Sequence, residues 1–128
     1  MQNRRNFMAA SAAFGAVMMA GPALAGQSRN GTFKGRSNHV TSGGVTVVKE
    51  GGKTYVVLQP DFAFDGAPDP KVALGRDGYD KSTVLGALRS NSGAQRYEIP
   101  ASMTIEGVNE VWIWCEQFNV PLGVATLR

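Results

Sequence analysis

Beyond the first thirty or so residues, apolar positions come in short bursts separated by Gly, Pro, Asn and Asp. Val45-Thr46-Val47-Val48-Lys49-Glu50 and Lys53-Thr54-Tyr55-Val56-Val57-Leu58 flank Gly51-Gly52. Two β-rich runs joined by two glycines predict a hairpin, because the primed turns that suit strand twist need positive φ. Asp61-Phe62-Ala63-Phe64 is apolar, and the loop Asp65-Gly66-Ala67-Pro68-Asp69-Pro70 interrupts it. Lys71-Val72-Ala73-Leu74 predicts a strand, and the polar stretch from Gly75 to Thr83 a loop. Val84, Leu85 and Leu88 form an apolar patch before the turn residues Ser90-Asn91-Ser92-Gly93. From Gln95 to Ile99, Arg96 and Glu98 alternate with Tyr97 and Ile99, the period of a half-buried strand, and Pro100 ends it. Glu110–Cys115 and Gly123–Leu127 predict the last strands.

No segment in this region sustains a helical period over several turns. Many short strands with Gly/Pro punctuation predict an all-β, single-domain antiparallel sandwich or barrel-like fold. Because strand side chains alternate, Val111, Ile113 and Cys115 share one face of their strand, while Trp112 and Trp114 share the other. One face is expected to be core; two indoles cover much of the second.

The N-terminus has a different pattern. Arg4-Arg5 precede a long Ala/Gly/Met-rich stretch that ends in Gly21-Pro22-Ala23-Leu24-Ala25. A positive segment, an apolar segment and an A-x-A site predict a signal peptide over residues 1–25. Arg4-Arg5 with Phe7 resembles a twin-arginine signal, although Asn3 and Ala9 depart from its usual pattern. The stretch is too short and too rich in small residues for a membrane span, so no transmembrane anchor is expected in the mature chain. Residues 26–30 are expected to be a short flexible lead-in and residues 31–128 the β domain, in a periplasmic or other extracytoplasmic setting.

Cleavage would remove two arginines and no acids, leaving 11 basic residues against 10 acidic ones from the full chain's 13 and 10. A mature net charge near +1 does not suggest a nucleic-acid surface. Arg29, Lys34 and Arg36 cluster near the mature N-terminus and are expected on a solvated strand edge. About a hundred residues support one core. The single cysteine, Cys115, cannot form an internal disulfide. In an oxidising compartment an odd thiol stays buried, binds a ligand or pairs between molecules.

Several pieces in order resemble one family. They are Gly31-x-Phe33, His39, Ser42-Gly43-x-Val45, the Gly51-Gly52 hairpin, Leu58-x-x-Asp61-Phe62 and Gly66-x-Pro68-Asp69. They continue through Val72-x-Leu74, Leu85-Gly86-x-Leu88 and Ser92-Gly93-x-Gln95-x-Tyr97-x-Ile99-Pro100. Last come Val111-x-Ile113-Trp114-Cys115-x-x-Phe118-x-Val120 and Leu122-Gly123-x-Ala125-x-Leu127. The chain resembles the DM-thirteen domain, also called the electron-transfer DM domain, over residues 31–127. The resemblance implies an extracytoplasmic β-sandwich whose cysteine acts in redox chemistry, as a bare thiol or as a ligand of a prosthetic group such as haem. That role falls on Cys115. Leu122 departs from the aromatic residue expected beside the motif.

If Cys115 holds haem, His39, the only histidine, is the candidate second ligand, or else the base for Cys115; Met103, beside Ile105, is expected in the core rather than as an axial ligand. No C-x-x-C-H exists, so any haem would be held non-covalently. One Cys and one His cannot complete a zinc site. Asp61, Asp65 and Asp69 lack calcium-loop spacing and are expected to be turn acids. Ser42, His39 and the aspartates lack a nucleophile elbow.

The leading expectation is an exported redox or electron-transfer module without turnover of its own. Cys115 is its centre, His39 its helper, and Trp112, Trp114 and Tyr97 frame a pocket or a surface for a redox or other extracytoplasmic protein. The alternative is a non-catalytic binding or adhesion module in which Cys115 is only packed and the aromatic face meets a protein or glycan. A third possibility is a dimer linked through Cys115.

Overall fold

The computed structural model describes residues 28–128. The expected leader, its paired arginines and Gln27 lie outside them. The described chain is all-β, as expected. Its strands are β1 Ser28–Gly35, β2 Thr41–Ser42, β3 Gly44–Glu50, β4 Lys53–Leu58, β5 Ala63–Phe64, β6 Pro70–Gly75, β7 Tyr79–Asp80, β8 Gly86–Ala87, β9 Gln95–Ile99, β10 Glu110–Cys115 and β11 Val120–Thr126. One 3-10 turn, Lys81–Thr83, follows β7.

Nine strands form one antiparallel sheet in the order β7-β6-β10-β11-β1-β3-β4-β9, with β8 also on β6. The sheet curls strongly into a half-barrel. β2 and β5 pair separately. The β3–β4 hairpin turns where expected: Glu50 pairs with Lys53, and Gly51 and Gly52 have φ of 60° and 81°. Both central residues are left-handed, as a type I′ turn requires.

Ser28–Asn30 are not a flexible lead-in but strand, in register with Val48, Val47 and Thr46. β1 is also not an edge. It lies between β3 and β11 and joins the two halves of the sheet. Its sequence conceals this, because Phe33 is its only buried side chain. Part of the stretch expected as loop, Gly75 to Thr83, is likewise ordered: it turns back at Asp77-Gly78 and pairs Tyr79 with Gly75.

The concave side holds the core. Phe33, Val45, Val56, Leu58, Phe62, Val72, Leu74, Tyr97, Ile99, Val111, Ile113, Cys115, Leu122 and Leu127 are all buried in it. Phe33 and Phe62 meet edge to face with centroids 5.5 Å apart. Between β10 and β11 the register slips at Ile113/Trp114, leaving Leu122 as the extra residue of a bulge. The Leu122 carbonyl is not orphaned: it accepts from the Arg36 N–H and from the buried Thr41 hydroxyl, both at 2.9 Å.

Candidate functional site

β10 alternates cleanly. Val111, Ile113 and Cys115 point into the core, and Glu110, Trp112 and Trp114 lie half-buried on the convex side. In register, Trp114 sits between Lys71 and Pro121, and Trp112 between Ala73 and Val124. Ala73 and Val124 point outward yet are buried. Side chains that small cannot shield themselves, so neighbouring large rings must cover them.

Tyr79 completes the cluster. Its ring stacks on Trp114 with centroids 3.8 Å apart and planes 6° apart. Trp114 in turn meets Trp112 edge to face at 5.8 Å. The edge-to-face pair is a favoured arrangement of aromatic quadrupoles, and the close parallel stack is held by dispersion and burial. Three contiguous rings thus cross the convex face from the β7 edge toward the middle of the sheet.

Polar groups fix the rings. The Trp112 indole N–H donates to Glu110 Oε1 at 3.0 Å, and the Gly78 amide donates to the same oxygen. The Trp114 N–H donates to Asn119 Oδ1 at 3.2 Å. Gly75 makes room for this: a Cβ there would lie 2.5 Å from Trp112 Nε1 and 2.9 Å from Glu110 Oε1. Beside the rings, Lys71 Nζ pairs with Glu116 at 2.7 Å and Asp69 at 3.0 Å. Bonds to Glu116 and then Asp69 hold the Lys71 pKa above its ordinary value. Burial, followed by the Glu116 charge, pushes the Tyr79 phenol up.

The predicted site residues do not all converge. Cys115 lies behind this cluster, 1% exposed, in the apolar core. His39 is bound elsewhere: its Nδ1 is 2.8 Å from Asp65 Oδ1, and its ring contacts Phe64. The backbone N–H of Val40 and then His39 hold the Asp65 carboxyl below its ordinary pKa. Tyr97 does not join the tryptophans. It points into the core at 3% exposure, under the Arg89 guanidinium and bonded to Gln95, because the alternation of β9 puts it on the same side as Ile99. Met103 packs against the core margin. Asp61 accepts from the Gly44 amide, Asp65 holds His39 and Asp69 holds Lys71, so the three aspartates serve separate sites.

Haem does not fit these residues. Cys115 is sealed among aliphatic and aromatic side chains, and His39 is tied to Asp65. The principal hollows of the surface are lined by neither residue.

Tyr79 was missed in the sequence because its surroundings are polar. The usable signal was Asp77-Gly78, a hairpin dipeptide directly after a predicted strand.

No curated protein and no solved structure matches the chain. Residues 32–127 match the family described as Electron transfer DM13. That span covers nearly all of the described β domain, including β10 and the ring cluster around it, and the chain belongs to the Electron transfer DM13 family.

Proposed function

We propose that this chain is an exported electron-transfer module that conducts single electrons through Tyr79, Trp114 and Trp112, with Cys115 packing the core behind them. The observation that carries this is the Tyr79–Trp114 stack, 3.8 Å between centroids and nearly parallel. Electronic coupling falls steeply with separation, so conjugated rings in contact form a far better path than isolated ones. Among natural side chains, those of Trp, Tyr, Cys and Met exchange single electrons most readily, and one tyrosine and two tryptophans touch here.

The step balances within the site. Trp112 gives one electron to an oxidised metal or haem centre on an acceptor protein, and its N–H proton passes to Glu110 Oε1, already hydrogen-bonded at 3.0 Å. The neutral indolyl radical then takes an electron through Trp114 and Tyr79 from a reduced donor protein and recovers the proton. Cys115, packed in the apolar core, takes no part in the exchange. The leader-like N-terminus supports an extracytoplasmic setting for this exchange.

Flash photo-oxidation with ruthenium(III) tris-bipyridine as the one-electron oxidant tests the route. Transient absorption should show a tryptophan radical that migrates to tyrosine. Trp114→Leu should slow the migration at least tenfold, and Cys115→Ala should leave it unchanged. An unaltered rate in Trp114→Leu would overturn the route. A haem absorption band in protein expressed with haem, lost in Cys115→Ala, would replace it with a cysteine-ligated centre.

The burial of Cys115 favours a second reading, a binding module whose half-exposed aromatic platform stacks on a glycan or a partner protein. It predicts tryptophan quenching by an oligosaccharide or partner, with no radical migration in the flash experiment.

A further inference from the structure

The convex face next to the aromatic cluster is basic, and its cations have no Asp or Glu partner among the described residues. A hollow of about 420 Å³ is lined by Asn30, Thr32, Lys34, Arg36, Thr126 and Arg128 along β1 and β11. Elsewhere four cations have carboxylate partners: Lys53 with Glu98, Lys71 with Glu116 and Asp69, Arg76 with Asp80, Arg96 with Glu50. No Asp or Glu lines the hollow, and no side chain of Asp or Glu among the described residues reaches Lys34, Arg36 or Arg128. The Arg36 guanidinium donates to the carbonyl of its neighbour, Gly35, and to no carboxylate among the described residues. Lys49 and Lys81 also lack a carboxylate partner, and Arg29 and Arg89 are held by backbone carbonyls instead, but none of the four lines the hollow.

The hollow is continuous with the rings. Val124 lies in register between Lys34 on β1 and Trp112 on β10. A partner surface laid across β11 would therefore touch the cations and the indole together.

We infer that Lys34, Arg36 and Arg128 form a docking groove for a carboxylate-rich protein surface, which aligns its redox centre over Trp112. This rests on the aromatic route for its purpose, but not for its binding. Opposed charge speeds encounter and sets orientation while adding little lasting affinity, which suits a partner that must leave after each electron. Cations that hold no Asp or Glu lose no internal ion pair when the partner arrives, so their attraction is not offset.

A hexaglutamate peptide titrated into ¹⁵N-labelled protein at low salt tests the groove. Amide shifts should concentrate in Asn30–Arg36 and Val124–Arg128 and fade as salt is added. Lys34→Gln with Arg36→Gln, both at exposed positions, should weaken binding about tenfold while the rest of the spectrum stays folded. Shifts spread equally to Lys49 and Lys81, or equal affinity in the double variant, would overturn the groove. So would groove shifts produced by phosphatidylglycerol vesicles but not by the peptide. None of these readouts involves electron flow. A failed flash experiment with a positive titration leaves the groove standing, and the reverse result leaves the aromatic route standing.

Discussion

At the scale of single residues, Cys115 carries opposite demands: chemistry needs an accessible thiolate, and packing needs a small apolar group. Its 1% exposure meets the second. Ellman's reagent should therefore label the native protein slowly and the urea-unfolded protein at once, and native protein should run as a monomer on non-reducing gels. Cys115→Ser places a hydroxyl without a partner in the same space and should cost about 1–3 kcal/mol in urea unfolding. Titrating residues give a second, independent prediction. The lowered carboxyls of Asp65 and Asp80 contribute stability that is present above their ordinary value of 3.8 and lost as pH falls through their folded values. Lys71 and Tyr79 have raised pKa values, so their contribution is complete below about pH 10 and lost as pH climbs further. The urea midpoint should accordingly drop on both flanks. Asp65→Asn should flatten the acid flank and leave the alkaline one alone.

Among elements, the β6–β10 pair decides whether the aromatic cluster exists, and Gly75 is its tightest point. Gly75→Ala would drive a methyl into the Gly78 carbonyl, the Trp112 indole and Glu110, displacing the turn before β7 and breaking the Trp112–Glu110 hydrogen bond. Tryptophan emission should shift to the red and the flash-induced radical should lose its proton acceptor, while Gly51→Asn in the open β3–β4 turn should change neither. The contrast between these two glycines also separates what could be read from the chain from what could not. Gly51-Gly52 announces its turn locally, and so do the alternations of β9 and β10, since a half-buried strand writes its period in its own residues. That Cys115 shares a face with Val111 and Ile113, opposite Trp112 and Trp114, was legible for that reason. β1 was not. It is central, yet its outer positions are polar and Gly31 on its inner side lies against Ala125 and the Thr126 carbonyl, so only Phe33 carries an apolar signal. Tyr97 looked like a surface aromatic because alternation gives two faces but not which of them is the core. The Tyr79–Trp114 stack depends on β7 folding back over β6, a pairing that leaves almost no mark in so short a strand.

For the molecule as a whole, the question is how a domain without a disulfide closes its curled sheet, and Arg29 supplies part of the answer. Its Cα pairs with Val47 on the core side of β1, and its guanidinium donates to the carbonyls of Val108 and Leu127 at the end of the core. Those bonds tie the first strand to the last loop and the final residues, 79 and 98 positions away in sequence. Beneath them lies a small, mainly apolar hollow of about 150 Å³ lined by Val47, Leu74, Ile99, Ile105, Val108 and Leu127. The guanidinium stem covers these groups while its head satisfies two carbonyls, a division of labour that long cationic side chains perform well. Arg29→Ala removes both and should cost about 1–3 kcal/mol in urea unfolding, with a rise in binding of the dye ANS as the hollow opens. Arg29→Lys keeps the charge but not the fork that reaches two acceptors, and should recover only part of the loss. If charge alone mattered, lysine would restore full stability. A closure built on geometry instead predicts that Lys falls between Arg and Ala, and that Arg29→Met, which keeps the stem alone, suppresses dye binding without restoring the urea midpoint.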